Sequence, residues 1–294
     1  MELIGPSSHF YVSQRLRLHY VDWGNPDAPL LLLVHGGRDH ARSWDQVAQA
    51  LRADHHVVAP DLRGHGDSAW AVGSSYALTD FVLDVAQLLE ALNEQPATII
   101  GHSLGGAVSL LYTGVFPERV ARLVAIEGLG PPPEVMVQLR EVPGWKRVRD
   151  WIERMQQLAG RQPRRYESID AAAKRMLEEN QFLDEEQARH LTIHGVARNE
   201  DGTYSWKFDN YVRAFSPNRL SEDEVVELRA RIECPVLLVR GTESWASDPA
   251  VDGRIAPFRD ACVANVEGAG HWVHHDRLDA FLALVRGFLA EGRG

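Results

Sequence analysis

Cysteine is nearly missing from this chain: Cys234 and Cys262 are the two in 294 residues. So few make no disulfide framework, which excludes a small stapled scaffold. Each borders an apolar run, and both are expected to be small core residues in a reducing compartment. Positive charge is in deficit, 31 Lys and Arg against 41 Asp and Glu, for a formal net charge of −10. Nucleic acid needs a basic footprint and is not an expected partner. Long hydrophobic runs are absent too. The opening stretch MELIGPSSHFYVSQRLRLHY is too polar and broken to read as a signal peptide. No run is long enough to span a bilayer, so no membrane partner and a cytoplasmic location are expected. Repeats and low-complexity segments are lacking as well.

What is present is 45% hydrophobic and 24% charged, a composition suited to one large core or a core with a smaller layer. HFYVSQRLRLHYVDWG alternates as a hairpin, with Leu16, Leu18 and Tyr20 on one face and Arg15, Arg17 and His19 on the other. LLLLVHGG is a continuous apolar run ending in glycines, the pattern of a strand buried on both faces. SWDQVAQALRA reads as an amphipathic helix with Ser43 as N-cap, and TDFVLDVAQLLEALN as a helix capped by Thr79 or Asp80. Further strands are read in HHVVAP, ATIIG, VARLVAIEG, CPVLLVRG and ACVANVEGAG, with helices in LGGAVSLLYTGVF and DRLDAFLALVRGFLA. The alternation implies an α/β fold with a mostly parallel sheet covered on both faces. Residues 131–233 are different: strongly charged, helical in pattern and without a buried-strand run. They are expected to form a helical cap, a mobile lid, between core segments 1–130 and 234–294.

Three short motifs carry chemistry. Gly101-His102-Ser103-Leu104-Gly105 fits G-x-S-x-G, with a strand before it and a helix after it. Such an elbow turns so sharply that side chains at its glycines would collide, and it exposes the serine hydroxyl at a helix N-terminus. His35-Gly36-Gly37 ends an earlier strand; the Gly37 and Leu104 N–H groups are candidates for an oxyanion hole. His271, in VEGAGHWVHHD, follows the last strand after a glycine-rich turn, where a base could serve the serine. His274 and His275 stand close by. No carboxylate or further histidine completes a metal site with them locally, so no metal is expected and both are read as loop or surface residues. His102 is read as structural. Arg38 and Trp272 are candidate pocket residues, and Asp61, Arg63, His65 and Asp67 in DLRGHGDS are further polar candidates.

HGG, DLRGHGDS, GHSLGG and GAGHW occur in the order and spacing of the α/β-hydrolase superfamily, which the chain resembles over nearly its whole length. HGGRDHARSWD and IEGLGPPP resemble its bacterial carboxylesterase-like and serum-hydrolase-like branch. The resemblance implies an eight-stranded sheet, a helical cap after strand six, a Ser–His–acid triad, no cofactor, and a structural hydrogen-bond network for Asp61, Arg63, His65 and Asp67. In most of the family the acid is an aspartate shortly after strand seven. Here that segment is LLVRGTESWASDP, with Ser244 and Trp245 in the usual slots, Glu243 one residue early and Asp248 late. Glu127, at the end of strand six, is the preferred acid, with Glu243 and Asp248 as alternatives. The expected activity is a carboxylesterase acting on small to medium hydrophobic esters, the chain being a monomer or homodimer. A lactonase, a C–C bond hydrolase, a perhydrolase or a non-catalytic binder of the same fold are the alternatives. An aspartate nucleophile, as dehalogenases and epoxide hydrolases need, is disfavoured by Ser103.

Overall fold

The computed structural model describes residues 5–73, 76–93, 95–214 and 216–290. Two strands, β1 (Ser7–Ser13) and β2 (Leu16–Asp22), pair antiparallel as the alternating pattern predicts. Strands and helices then alternate: β3 (Leu30–Val34), α1 (Asp45–Leu51), β4 (His56–Pro60), α2 (Leu78–Leu92), β5 (Ala97–His102), α3 (Leu104–Val115) and β6 (Val120–Ile126). The next segment holds α4 (Pro133–Glu141), α5 (Gly144–Leu158), α6 (Ile169–Glu179) and α7 (Glu185–Gly195), the strands β7 (Val196–Arg198) and β8 (Tyr204–Trp206), and α8 (Glu222–Arg231). The chain then completes the sheet with β9 (Val236–Gly241) and β10 (Ala261–Val266), followed by α9 (Val273–Asp276) and α10 (Leu278–Ala290).

The main sheet has eight strands in the order β1-β2-β4-β3-β5-β6-β9-β10. From β4 to β10 neighbouring strands run parallel, and β1 and β2 are antiparallel additions at one edge. Why the strands read as unbroken apolar runs is visible in β3. Leu30, Leu32 and Val34 pack with Val85 and Leu88 of α2 and Val108 and Tyr112 of α3. Leu31 and Leu33 face the other way, on to Trp44, Val47 of α1 and Phe281 and Val285 of α10. With both faces covered, no position can be polar. Each buried leucine here contributes about 1.5–3 kcal/mol relative to exposure.

Several local expectations need correcting. Ser43 lies inside a 3₁₀ turn, Ala41–Trp44, so α1 starts at Asp45 with Trp44 before it and Ser43 is not its cap. At α2 the cap position is Ala77; the Asp80 carboxylate accepts its N–H at 3.2 Å from inside the first turn. Cys234 is buried, but Cys262 is exposed, because β10 is the outermost strand and only Val266 of it is fully buried. His19, on the hairpin face opposite Leu18, is buried and hydrogen-bonded through Nδ1 to Asp61 at 2.7 Å. The hairpin β7–β8 carries no long apolar run and was not legible as strand.

Between β6 and β9 the segments differ in how they attach. Helix α8 lies against α3 so closely that a Cβ on Gly114 would be 2.5 Å from the Leu228 carbonyl oxygen. Helix α7 is tied to the core by His40 Nε2–H donating to Leu191 O at 2.9 Å and by the Gln187 side chain bonded to His275 Nδ1 at 2.8 Å. Helix α5, by contrast, buries only Leu158 and leaves Trp145, Val148 and Ile152 exposed.

Candidate active site

The first piece of the site is the turn from β5 into α3. Ser103 has φ 50° and ψ −113°. That conformation costs a non-glycine residue of order 1–3 kcal/mol and persists only where its surroundings enforce it. They do. A Cβ on Gly101 would lie 2.5 Å from Gly105 O, and one on Gly105 would lie 2.3 Å from Val34 O. Strand β5, helix α3 and strand β3 therefore meet backbone to backbone, as the sequence predicts for these two glycines. The Ser103 N–H is anchored on Ile126 O of β6 at 2.8 Å.

The loop after β3 backs on to this turn. A Cβ on Gly36 would lie 3.3 Å from Ser103 Cβ, and one on Gly37 would lie 4.0 Å from Leu104 Cδ2. The proposed oxyanion donors Gly37 and Leu104 are thus neighbours at the N-terminus of α3, where the helix dipole favours negative charge. Arg38 follows, exposed and in the left-handed region at φ 66°.

From the far end of the sheet comes His271, on the turn between β10 and α9. Its Nδ1 is 2.6 Å from Glu127 Oε2. Glu127 stands immediately after β6 and its side chain is wholly buried. Two more donors reach the same carboxylate: Gly241 N–H to Oε1 at 3.0 Å and Ser244 Oγ–H to Oε2 at 2.5 Å. Glu127 itself has φ 50°, the third left-handed non-glycine residue here after Ser103 and Arg38. The two alternatives are elsewhere. Asp248 accepts from Asn265 Nδ2 at 2.7 Å and from Ala250 N–H at 2.9 Å, and the Glu243 side chain is exposed.

Ser244 is a functional contact the sequence reading missed. It was seen as filling the slot of an aspartate; a hydroxyl in that slot, beside a glutamate on the neighbouring strand, is the signal that could have found it. Trp245 was missed too. Its ring, in an exposed side chain, lies 5.3 Å from that of His271. Trp272 packs instead against the cluster of Leu183, Ala188 and Leu191 from the inserted segment.

Other sequence candidates form supports. His102 donates Nε2–H to His271 O at 2.9 Å, and burial, reinforced by the neighbouring His271, pushes its pKa well down. Asp61 accepts from His19, from Ala41 N–H at 2.7 Å and from Asp67 N–H at 2.8 Å. Arg63 grips Asp84 with two bonds of 2.6 and 2.7 Å. The DLRGHGDS loop is therefore the network the family resemblance implies, apart from the more exposed Asp67 side chain, which pairs with Lys207. On α9, burial pushes the Asp276 carboxyl up to about 6, although its Oδ2 accepts from Gly270 N–H at 2.8 Å. His274 and His275 are buried in α9, not on the surface, and the His274 ring stacks on Trp44 at 4.3 Å. The fold also brings them the carboxylate that the local sequence lacks, Asp39, with one ligand atom of each residue within 4.8 Å of the others.

A glycine-braced elbow serine, a His on the last sheet turn and an acid bonded to that His share one edge of a parallel sheet. The model of the alpha/beta hydrolase family matches residues 31–284. The chain belongs to this family. It is 30% identical over 233 residues to human serine hydrolase-like protein 2, covering 76% of this chain and 71% of that protein. It is 28% identical over 271 residues to an esterase of Mycobacterium tuberculosis, covering 91% and 84%. A solved structure of that esterase superposes with a TM-score of 0.77 over 97% of this chain and 92% of the other, at 24% identity. Mouse epoxide hydrolase 4 is 35% identical over 135 residues, and there the match spans 45% of this chain and 37% of that protein. Among the described residues no helix is long and apolar enough to cross a membrane.

Proposed function

We propose that this α/β hydrolase is a serine carboxylesterase that cleaves esters of small to medium hydrophobic substrates through an acyl-enzyme. The bond between His271 Nδ1 and Glu127 Oε2, 2.6 Å long, carries the reading. It leaves the other ring nitrogen, Nε2, to serve Ser103. In this scheme His271 takes the Ser103 proton as Oγ attacks the acyl carbonyl. The Gly37 and Leu104 N–H groups hold the oxyanion, and Glu127 balances the imidazolium. His271 then protonates the leaving alcohol. In the second half it activates a water that releases the acid and frees Ser103. The similarity to an esterase supports the ester as substrate, and exposed Trp245 beside His271 supports an apolar acyl or alcohol group. Residues 131–233 would cap the site.

A fluorophosphonate probe and a series of p-nitrophenyl esters of rising chain length test this, with lactones and amides beside them. Wild type should label and turn over the shorter esters. Ser103→Ala should do neither while keeping its fold. A folded Ser103→Ala variant with wild-type turnover would sink the reading.

A further inference from the structure

Beyond the hydrolytic site, three polar side chains that the reaction does not use converge behind it. Asp39 comes from the loop after β3, and His274 and His275 from α9. They are 5%, 1% and 9% exposed. Both nitrogens of His274 and Nε2 of His275 have no hydrogen-bond partner among the described residues, and beside Asp39 Oδ2 there is only the Ser43 hydroxyl. Buried polar atoms are nearly always paired, so a cluster of orphans facing one another is a demand for a ligand. One ligand atom from each residue lies within 4.8 Å of the others.

We propose that Asp39, His274 and His275 bind one divalent transition-metal ion of zinc-like chemistry. Two imidazoles and a carboxylate are the donor set such ions take, with a fourth position left for water. Donor atoms on a tetrahedral zinc ion sit about 3.3 Å apart, given bonds of about 2.0–2.1 Å. Binding would draw the three donor atoms together from within 4.8 Å to that spacing. Supporting contacts are already in place. His40 N–H donates to Asp39 Oδ1 at 2.8 Å, and the Gln187 amide sits 2.8 Å from His275 Nδ1. With its amide turned, Gln187 accepts from Nδ1–H and leaves Nε2 to the ion.

Two other groupings are already satisfied. At Asp45, His190 and His194 the Arg42 guanidinium pairs with the carboxylate at 2.7 Å and occupies the place of a cation. At His19, Asp61 and Asp67 the histidine bonds directly to Asp61. The Asp39 cluster is also joined to the active site. The His102 ring lies 4.8 Å from both His271 and His274, so the ion would fix the helix that follows the base.

Calorimetric titration of the chelator-treated full chain with Zn²⁺ alone tests the site, with Co²⁺ as the spectroscopic probe. One equivalent of Zn²⁺ should bind and raise the melting temperature, and Co²⁺ should give the intense visible bands of four-coordination. Asp39→Asn and His275→Gln should each abolish the one-equivalent binding, whereas His190→Gln should leave it unchanged. If Asp39→Asn fails to fold, His275→Gln decides. No stoichiometric binding, binding that survives in folded Asp39→Asn or His275→Gln, or binding lost in His190→Gln would each overturn the proposal; the first would mean that a buried water satisfies the cluster.

Discussion

The Glu127 carboxylate is held by three donors on two backbone segments, Gly241 and Ser244 at the end of β9 and His271 after β10. Each has a separable role. His271 needs the negative charge, and Gln at 127 keeps the shape while removing it. By analogy with the best-studied triad, turnover of Glu127→Gln should drop by about 10⁴-fold. Ser244→Ala removes one bond to a charged acceptor and leaves the charge, so a loss of roughly tenfold is expected. Glu243→Gln, at an exposed side chain, should change turnover little. Steady-state kinetics on one ester for all three variants checks the ranking, and a collapse in Glu243→Gln would move the acid to the loop after β9. The sequence placed Glu127 at the end of the strand but could not supply the contact. That contact depends on how β6, β9 and the turn after β10 lie side by side, which no local pattern encodes.

Among the elements, the inserted helices divide into tethered and loose. Helix α7 is fastened to the core through Leu191, Gln187 and His190, the last bonded to Asp45 at 3.2 Å, and α8 is pressed on α3. Helix α5 has only Leu158 buried, so little apolar area opposes its opening. Hydrogen exchange should therefore be fastest in α4 and α5, slower in α7 and α8, and slowest in β3 and β5. Equal protection of α5 and α7 would refute a lid confined to the first two helices. The sequence showed a charged helical segment and suggested one lid throughout. It could not separate α7 from α5, because the tethers are single polar groups such as His40 and Gln187, which leave no trace in helical periodicity. Strands fared better: β3, β4, β5, β6 and β9 announce themselves because burial on both faces leaves mostly apolar residues, with few polar ones such as His56 and Thr98. Edge strand β10 and hairpin β7–β8 lie under no such constraint, hence the misplaced Cys262 and the unread hairpin.

For the molecule as a whole, acid should be the weak side. Burial holds His35 at a pKa of about 3 and His65 at about 4, both far below the ordinary histidine value. The folded state refuses protons that the unfolded chain accepts, so the contribution is full above about pH 6.5 and falls as pH drops. Each such imidazole costs roughly 2 kcal/mol by about pH 5. Asp61, whose pKa is lowered chiefly by the His19 bond against the cost of burial, adds loss of the same sign at lower pH. Asp276, Asp39 and Asp84 work the other way, burial raising each carboxyl pKa so that ionisation becomes costly as pH rises, but they are set against a larger group of buried and half-buried histidines that includes His102 and His194. Urea midpoints should accordingly decline from pH 7 to pH 5; a flat or rising profile would contradict this account.

Ser103 and Glu127 end adjacent parallel strands, and both come before the inserted helices; His271 alone comes after them. The sheet joins these two halves along the seam between β6 and β9. A chain cut within the exposed α4–α5 segment would thus yield one fragment carrying the proposed nucleophile and acid and another carrying the proposed base, each expected to be inert until the seam forms. Catalysis in this architecture reports on the pairing of two strands.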